Sequence, residues 1–341
     1  MPSGQRVAGP RLPSAFAGES TSFREHARAL AAAGDPAAAL RAGDRASQAR
    51  ALMLLSPMQT TTEDKPAAAA SATQALRPYR ELDDQAGQAA PLTLIGVLRV
   101  ITDDYPAAAA CLQQALELHR DTGYRSGQAD AFLNLGAVQQ LTGHHPAAAT
   151  YLRQAQALGH DIGDRSHQAM AITELAAVQR LTGDYRSAAA SSQQALGLFR
   201  DAGDLRNQTD SLNELGLVQQ LSGDYPAAAA SHQQALALSR DAGDRLGQAE
   251  TLNCLGELAS RTAEGRQARD HHAQALAIAL QLGTPAEEAR ALDGIGHSHL
   301  RDRHPREGIA CLEQALTIYQ RIGSPTPAAS RKPSSSSVKA S

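Results

Sequence analysis

Apolar and polar residues along this chain alternate with a period close to 3.6, in paired blocks punctuated by glycine. Between about Arg206 and Leu221, the residues Leu212, Leu215, Gly216 and Gln219 fall at i, i+3, i+4 and i+7, one stripe of an α-helix. Gly223 is placed to end that helix in a left-handed conformation, and Asp224 to cap the next one. Pro226 falls in the first turn of this second helix, where a missing N–H costs nothing. Ala228, His232 and Ala235 share one face of it, with Leu236 and Leu238 alongside. Gly243-Asp244 then closes the second helix and opens another. Two helices joined by so tight a turn lie antiparallel, and small residues at Gly216, Ala228 and Ala235 let them approach closely.

This pair is one copy of a repeat. Ala-Leu recurs at 75–76, 115–116, 195–196, 235–236, 275–276 and 315–316, with Ala155-Gln156 in the remaining slot, a spacing of 40 throughout. A second landmark keeps the same period: Ile95-Gly96, Leu135-Gly136, Leu175-Ala176, Leu215-Gly216, Leu255-Gly256 and Ile295-Gly296, with Leu55-Ser56 as a degenerate first copy. Seven copies fit between about residues 44 and 322. One pair cannot bury its own apolar face, so neighbours must stack into an all-α solenoid.

Leu/Ile-Gly, then Gly-Asp-Tyr, then two alanines at fixed spacing: this pattern resembles the tetratricopeptide repeat in a 40-residue form, over about 280 of 341 residues. It is similar to the repeat arrays at the C-terminal ends of large actinobacterial regulators. The resemblance implies a right-handed α-solenoid whose A helices line a concave, ligand-binding face. Three departures stand out. Leu52, Leu92, Phe132, Ile172, Leu212, Leu252 and Leu292 fill the slot of an early aromatic in helix A; Gln139, Gln179 and Gln219 replace a second aromatic; Arg240 stands near the missing proline of helix B. HEAT and armadillo repeats share the period but lack the Gly-Asp-Tyr punctuation.

Composition refines this picture. Ala accounts for 69 residues, against four Phe, seven Tyr and no Trp, so close helix contacts replace bulky ones. A β-sandwich or barrel would need more β-branched and aromatic residues. The net charge of −3 gives no drive toward nucleic acid or membrane, and no apolar run is long enough to span a bilayer. Only Lys65, Lys332 and Lys339 are lysines. Cys111, Cys254 and Cys311 show no metal or redox spacing, which suits a reducing compartment. Together with the absence of a signal-peptide pattern, this makes the cytoplasm the expected location.

The ends are less regular. Residues 1–20 are expected to be disordered, 21–43 to form a degenerate partial repeat or capping helix, and 323–341 to be a disordered low-complexity tail. Pro57 and Pro78 are expected to kink or shorten the two helices of the first copy. No amphipathic helix follows the last copy, so Leu312, Leu316 and Ile318 are expected near an open face suited to docking or self-association.

The groove implied by the resemblance draws on helix A residues facing away from the Leu-Gly stripe. These candidates are Asp130, Asn134, Leu141, Glu174, Arg180, Leu181, Asp210, Asn213, Glu214, Leu221, Glu250, Asn253 and Glu257. The set is acidic in the middle, with an apolar row Ile101, Leu141, Leu181 and Leu221, and fits a peptide or protein segment carrying basic and apolar residues. The lysine-dependent chaperone clamp of the family cannot be assembled, because no Lys lies between 66 and 331. Phosphate-loop, nucleophile-elbow and zinc-helix motifs are absent, and His232 and His272 occupy one packing slot in adjacent copies. The expectation is therefore no catalytic residue, no cofactor and no metal. The expected role is a protein- or peptide-binding adaptor, with a detached sensor of a bacterial transcription-control or signalling system as the alternative.

Overall fold

The computed structural model describes residues 65–101 and 104–322. The expectations for 1–20, 21–43, the first helix A with Pro57, and 323–341 lie outside the described residues. Thirteen helices are described: α1 (Lys65–Glu81), α2 (Gln85–Ile101), α3 (Tyr105–Asp121), α4 (Arg125–Leu141), α5 (His145–Asp161), α6 (Arg165–Leu181), α7 (Tyr185–Asp201), α8 (Leu205–Leu221), α9 (Tyr225–Asp241), α10 (Arg245–Arg261), α11 (Gly265–Leu282), α12 (Pro285–Arg301) and α13 (Pro305–Arg321). None of them is long and apolar enough to cross a membrane.

The turns explain this regularity. After α8, Gly223 adopts φ +86°, and Asp224 N donates back to Gln219 O at 2.9 Å, closing the helix end. The Asp224 carboxylate then accepts from Ala227 N at 3.2 Å and starts α9. Asp104, Asp164, Asp184, Asp204 and Asp244 cap their own helices in the same way. One half of the expectation for Pro78, a shortened helix, needs correcting. Helix α1 runs through it to Glu81, at the 17 residues typical of its neighbours, so the proline does not shorten the helix.

The described chain divides into two compact units, one ending at Thr182 and the other beginning at Gly183. In the N-terminal unit α1–α6 pack consecutively, and α4 also touches α2 and α6. In the C-terminal unit α7–α13 pack consecutively, and α10 also touches α8 and α12. The even-numbered A helices therefore form the closer layer of each stack, with the B helices outside.

Each copy has a thin core. Ala108, Ala148, Ala188, Ala228 and Ala268 are fully buried, as are Ala75, Ala115, Ala155, Ala195, Ala235, Ala275 and Ala315. The early helix A slots hold Leu92, Ile172, Leu212, Leu252 and Leu292 in place of an aromatic and Phe132 in the one copy that keeps it, all buried. The A-helix glycine admits a large B-helix side chain. A Cβ on Gly96 or Gly136 would meet Leu112 or Leu152 within 2.8 Å, and one on Gly216 would meet the His232 ring at 2.6 Å.

Candidate interaction face

The A-helix face is built around three charged knots. In the N-terminal unit, the buried His167 at the start of α6 spans two carboxylates: Nε2 lies 2.8 Å from Asp130 Oδ1 on α4, and Nδ1 lies 2.6 Å from Asp164 Oδ2 in its own cap. Burial opposes a charge on this ring, but the hydrogen bonds and charges of Asp130 and Asp164 outweigh it and raise the pKa to about 9. Burial likewise works against the Asp164 carboxylate, yet donation from His167 and Ser166 keeps its pKa below the usual range.

In the C-terminal unit, the half-buried Arg206 sits among three carboxylates: Asp210 at 3.6 Å, Asp244 at 3.2 Å and Glu250 at 3.8 Å. A second guanidinium, Arg290, donates from Nε to Glu257 at 2.6 Å and lies 3.5 Å from Glu287. Its remaining nitrogen donates to Cys254 Sγ at 3.4 Å. Burial is the largest influence on both arginines, and the carboxylates overcome it to raise each pKa.

The structure sorts the candidate residues. Asp130, Asp210, Glu250 and Glu257 stand partly exposed on the A-helix face, as do Arg180, Leu141, Leu181 and Leu221. The side chain of Ile101 lies outside the described residues. Glu174 and Glu214 sit deeper, 2% and 7% exposed. Asn134 is buried and donates to Asp130 O at 2.9 Å, a bond within its own helix. Asn213 and Asn253 require correction: both are fully buried and turn inward. Asn213 Oδ1 accepts from His232 Nδ1 at 3.2 Å, while its amide nitrogen donates to Thr251 Oγ1 at 2.8 Å. Asn253 repeats the arrangement with His272 at 3.0 Å and donates to Glu287 Oε2 at 2.7 Å. Their helical register resembles that of a surface position, and the signal against it was the Asn–His offset of 19 residues, which occurs twice.

His167 ties α4 to α6 in the N-terminal unit and Arg206 ties α8 to α10 in the C-terminal unit, and the sequence reading passed over both. Each reaches a carboxylate 37 or 38 positions away in the chain, a spacing that only stacking of consecutive copies makes local. Among the described residues, no group of three or more His, Cys, Asp or Glu could hold a metal ion.

The punctuation, the helix-pair stacking and the buried alanines all describe one kind of repeat, and the tetratricopeptide-repeat signature matches residues 87–159 and 167–241. Residues 87–159 and 167–241 are tetratricopeptide repeats. No curated protein sequence matches it. Among solved structures, a Rap protein complexed with competence and sporulation factor superposes with a TM-score of 0.66 at 11% identity, over 89% of this chain and 81% of that one. Aspartyl phosphate phosphatase F from Bacillus subtilis gives 0.67 at 11% identity, over 87% and 74%. The apo quorum sensor NprR from B. thuringiensis gives 0.52 at 14%, over 78% and 77%. At these identities the likeness is one of fold.

Proposed function

We propose that this repeat protein is a non-catalytic binder of a peptide or protein segment, acting as an adaptor through the A-helix face. The observation that carries this reading is the excess of carboxylates there: three surround Arg206 and two face Arg290. Such a face favours a ligand with basic residues, and the half-buried Leu221 of the same unit suits an apolar anchor. His167 and Arg290 are engaged in ion pairs that tie neighbouring A helices together.

A second reading has one observation behind it. Two of the similar structures are a Rap protein complexed with a signalling factor and a quorum sensor. By analogy of fold, the segment bound here would be a signal, and the protein the sensing part of a bacterial regulatory system. The cytoplasm is the compartment in which either role would be exercised.

Selection of displayed random peptides on the immobilised protein tests both. Enrichment of Arg- or Lys-containing sequences, with binding lost in Asp210→Lys/Glu250→Lys, is the expected outcome. Equal binding by that variant would end the acidic-face reading. A change in helical stability or sedimentation on binding separates a sensor from a passive adaptor.

A further inference from the structure

The repeat provides its own reference for recognising residues that the fold does not require. At one position near the end of helix A, the described copies carry Arg99, Gln139, Gln179, Gln219 and His299, and Gln219 Oε1 accepts from Ser231 Oγ at 2.7 Å. The remaining copy has Ala259. Without a long side chain there, a recess of about 240 Å³ opens between α9, α10 and α11, floored by Leu255 and Leu258 and walled by Tyr225.

Three polar side chains surround the same recess. Glu264 stands where Asp184 and Asp224 cap their helices, and it makes no capping bond, so its carboxylate is not used by the helix. Gln267 replaces Ala107, Ala147, Ser187 and Ala227. His271 stands at a position that varies among the copies, Cys111, Tyr151, Ser191, Ser231 and Cys311, and its Nδ1 is buried without a hydrogen-bond partner. Burial, foremost, holds this imidazole below its ordinary pKa, so it is neutral at pH 7 and offers a lone pair. Ala259 thus enlarges the cavity, and Glu264, Gln267 and His271 add polar groups to its lining.

Its size and chemistry narrow the occupant. About 240 Å³ is below the ~300–1,000 Å³ of ordinary small-molecule pockets, which suits one side chain or fragment. The apolar floor fits a methylene stem. Around it stand the carboxylate of Glu264, the amide oxygens of Gln233 and Gln267, and the Tyr225 ring, which favours a cation over its face. An acceptor-rich rim over an apolar floor matches a donor-only, planar cation. We infer that this recess binds a guanidinium on a short apolar stem, either an arginine side chain of a partner protein or a free guanidino compound. The recess lies about 120° around α10 from Glu250, Cys254 and Glu257, so it stands or falls separately from the acidic face.

Methyl chemical shifts of Leu255 and Leu258 in the full chain would read binding of three probes: N-acetyl-arginine methylamide, its neutral citrulline isostere, and butylguanidine. The arginine derivative should give saturable shifts at millimolar concentration, with the citrulline derivative about threefold weaker or more. Glu264→Gln should weaken arginine binding about threefold. Ala259→Gln, which restores the residue of three other copies, should abolish the shifts while helicity and the thermal midpoint stay unchanged; Ala259→Met provides a second way to fill the recess. Butylguanidine binding as tightly as the blocked arginine identifies a free guanidino compound, whereas tighter binding of the blocked arginine identifies a protein side chain. Equal binding of the citrulline derivative, persistence of the shifts in both filled variants, or no saturable shift would each overturn the inference.

Discussion

A glycine and the side chain sixteen positions after it behave as a matched pair. Gly96 faces Leu112, Gly136 faces Leu152, Gly216 faces His232 and Gly256 faces His272. The copy with Ala176 in the glycine slot has the smaller Ser192 at the matching place in the chain. Gly216→Ala should therefore destabilise the protein by about 1–3 kcal/mol through overpacking, and adding His232→Ser should recover part of the loss. Denaturant melts of the single and double variants would show this as non-additivity. Simple addition of the two effects would mean that the pair is not in contact. Ala263 offers the opposite case: it holds φ +65° where Gly143, Gly183 and Gly223 stand in other copies. Ala263→Gly removes a left-handed penalty of about 1 kcal/mol and should raise the thermal midpoint.

At the scale of the helix, nearly everything local was legible. Boundaries follow from Gly-Asp punctuation because a left-handed residue and a capping carboxylate act within one turn, as at Gly223 and Asp224. Asp224→Ala should cost about 1 kcal/mol in the stability of α9, read by hydrogen exchange of its first turn. What joins one helix to the next copy was not legible. The partners of His167 and Asn213 lie 37 to 38 residues away, and their orientation depends on how copies stack. These joints give opposite pH responses. His167 has its pKa raised to about 9, so its contribution is complete below about 6.5, the ordinary histidine value, and is lost as pH rises toward 9. His272 is held down to about 4, chiefly by burial, so the unfolded chain gains the proton first and stability falls between about pH 6.5 and 4. Denaturant midpoints measured across pH should decline on both sides, and His167→Asn should flatten only the alkaline limb.

The whole molecule repeats one small core rather than growing a large one. The scarcity of aromatics is consistent with that: Ala at the A–B contacts brings helices close enough for Leu and Ile to fill the space. Stability then resides in neighbour-to-neighbour interfaces, so unfolding should be graded along the chain. Hydrogen exchange should show Gly216→Ala exposing α8 and α9 while α2–α5 keep their protection. A uniform loss would instead indicate one cooperative block. The A-helix face was legible as a class of surface, since its helical positions follow from the period. Its buried members were not: Asn213 and Asn253 differ from Asp210 and Glu250 only by which neighbour they meet.

Nearly identical copies carry a risk during folding, because any A helix can approach the wrong B helix and still bury alanines and leucines. The Asn–His pairs mark the correct match. A slip of one copy in the C-terminal unit would set Asn253 of α10 against Leu312 of α13, leaving a buried amide without its imidazole at a cost of about 1–3 kcal/mol. Two polar contacts hidden in an otherwise apolar interior thus act as a shared address, setting the helix pairs α8–α9 and α10–α11 apart from copies that carry leucine at the same place.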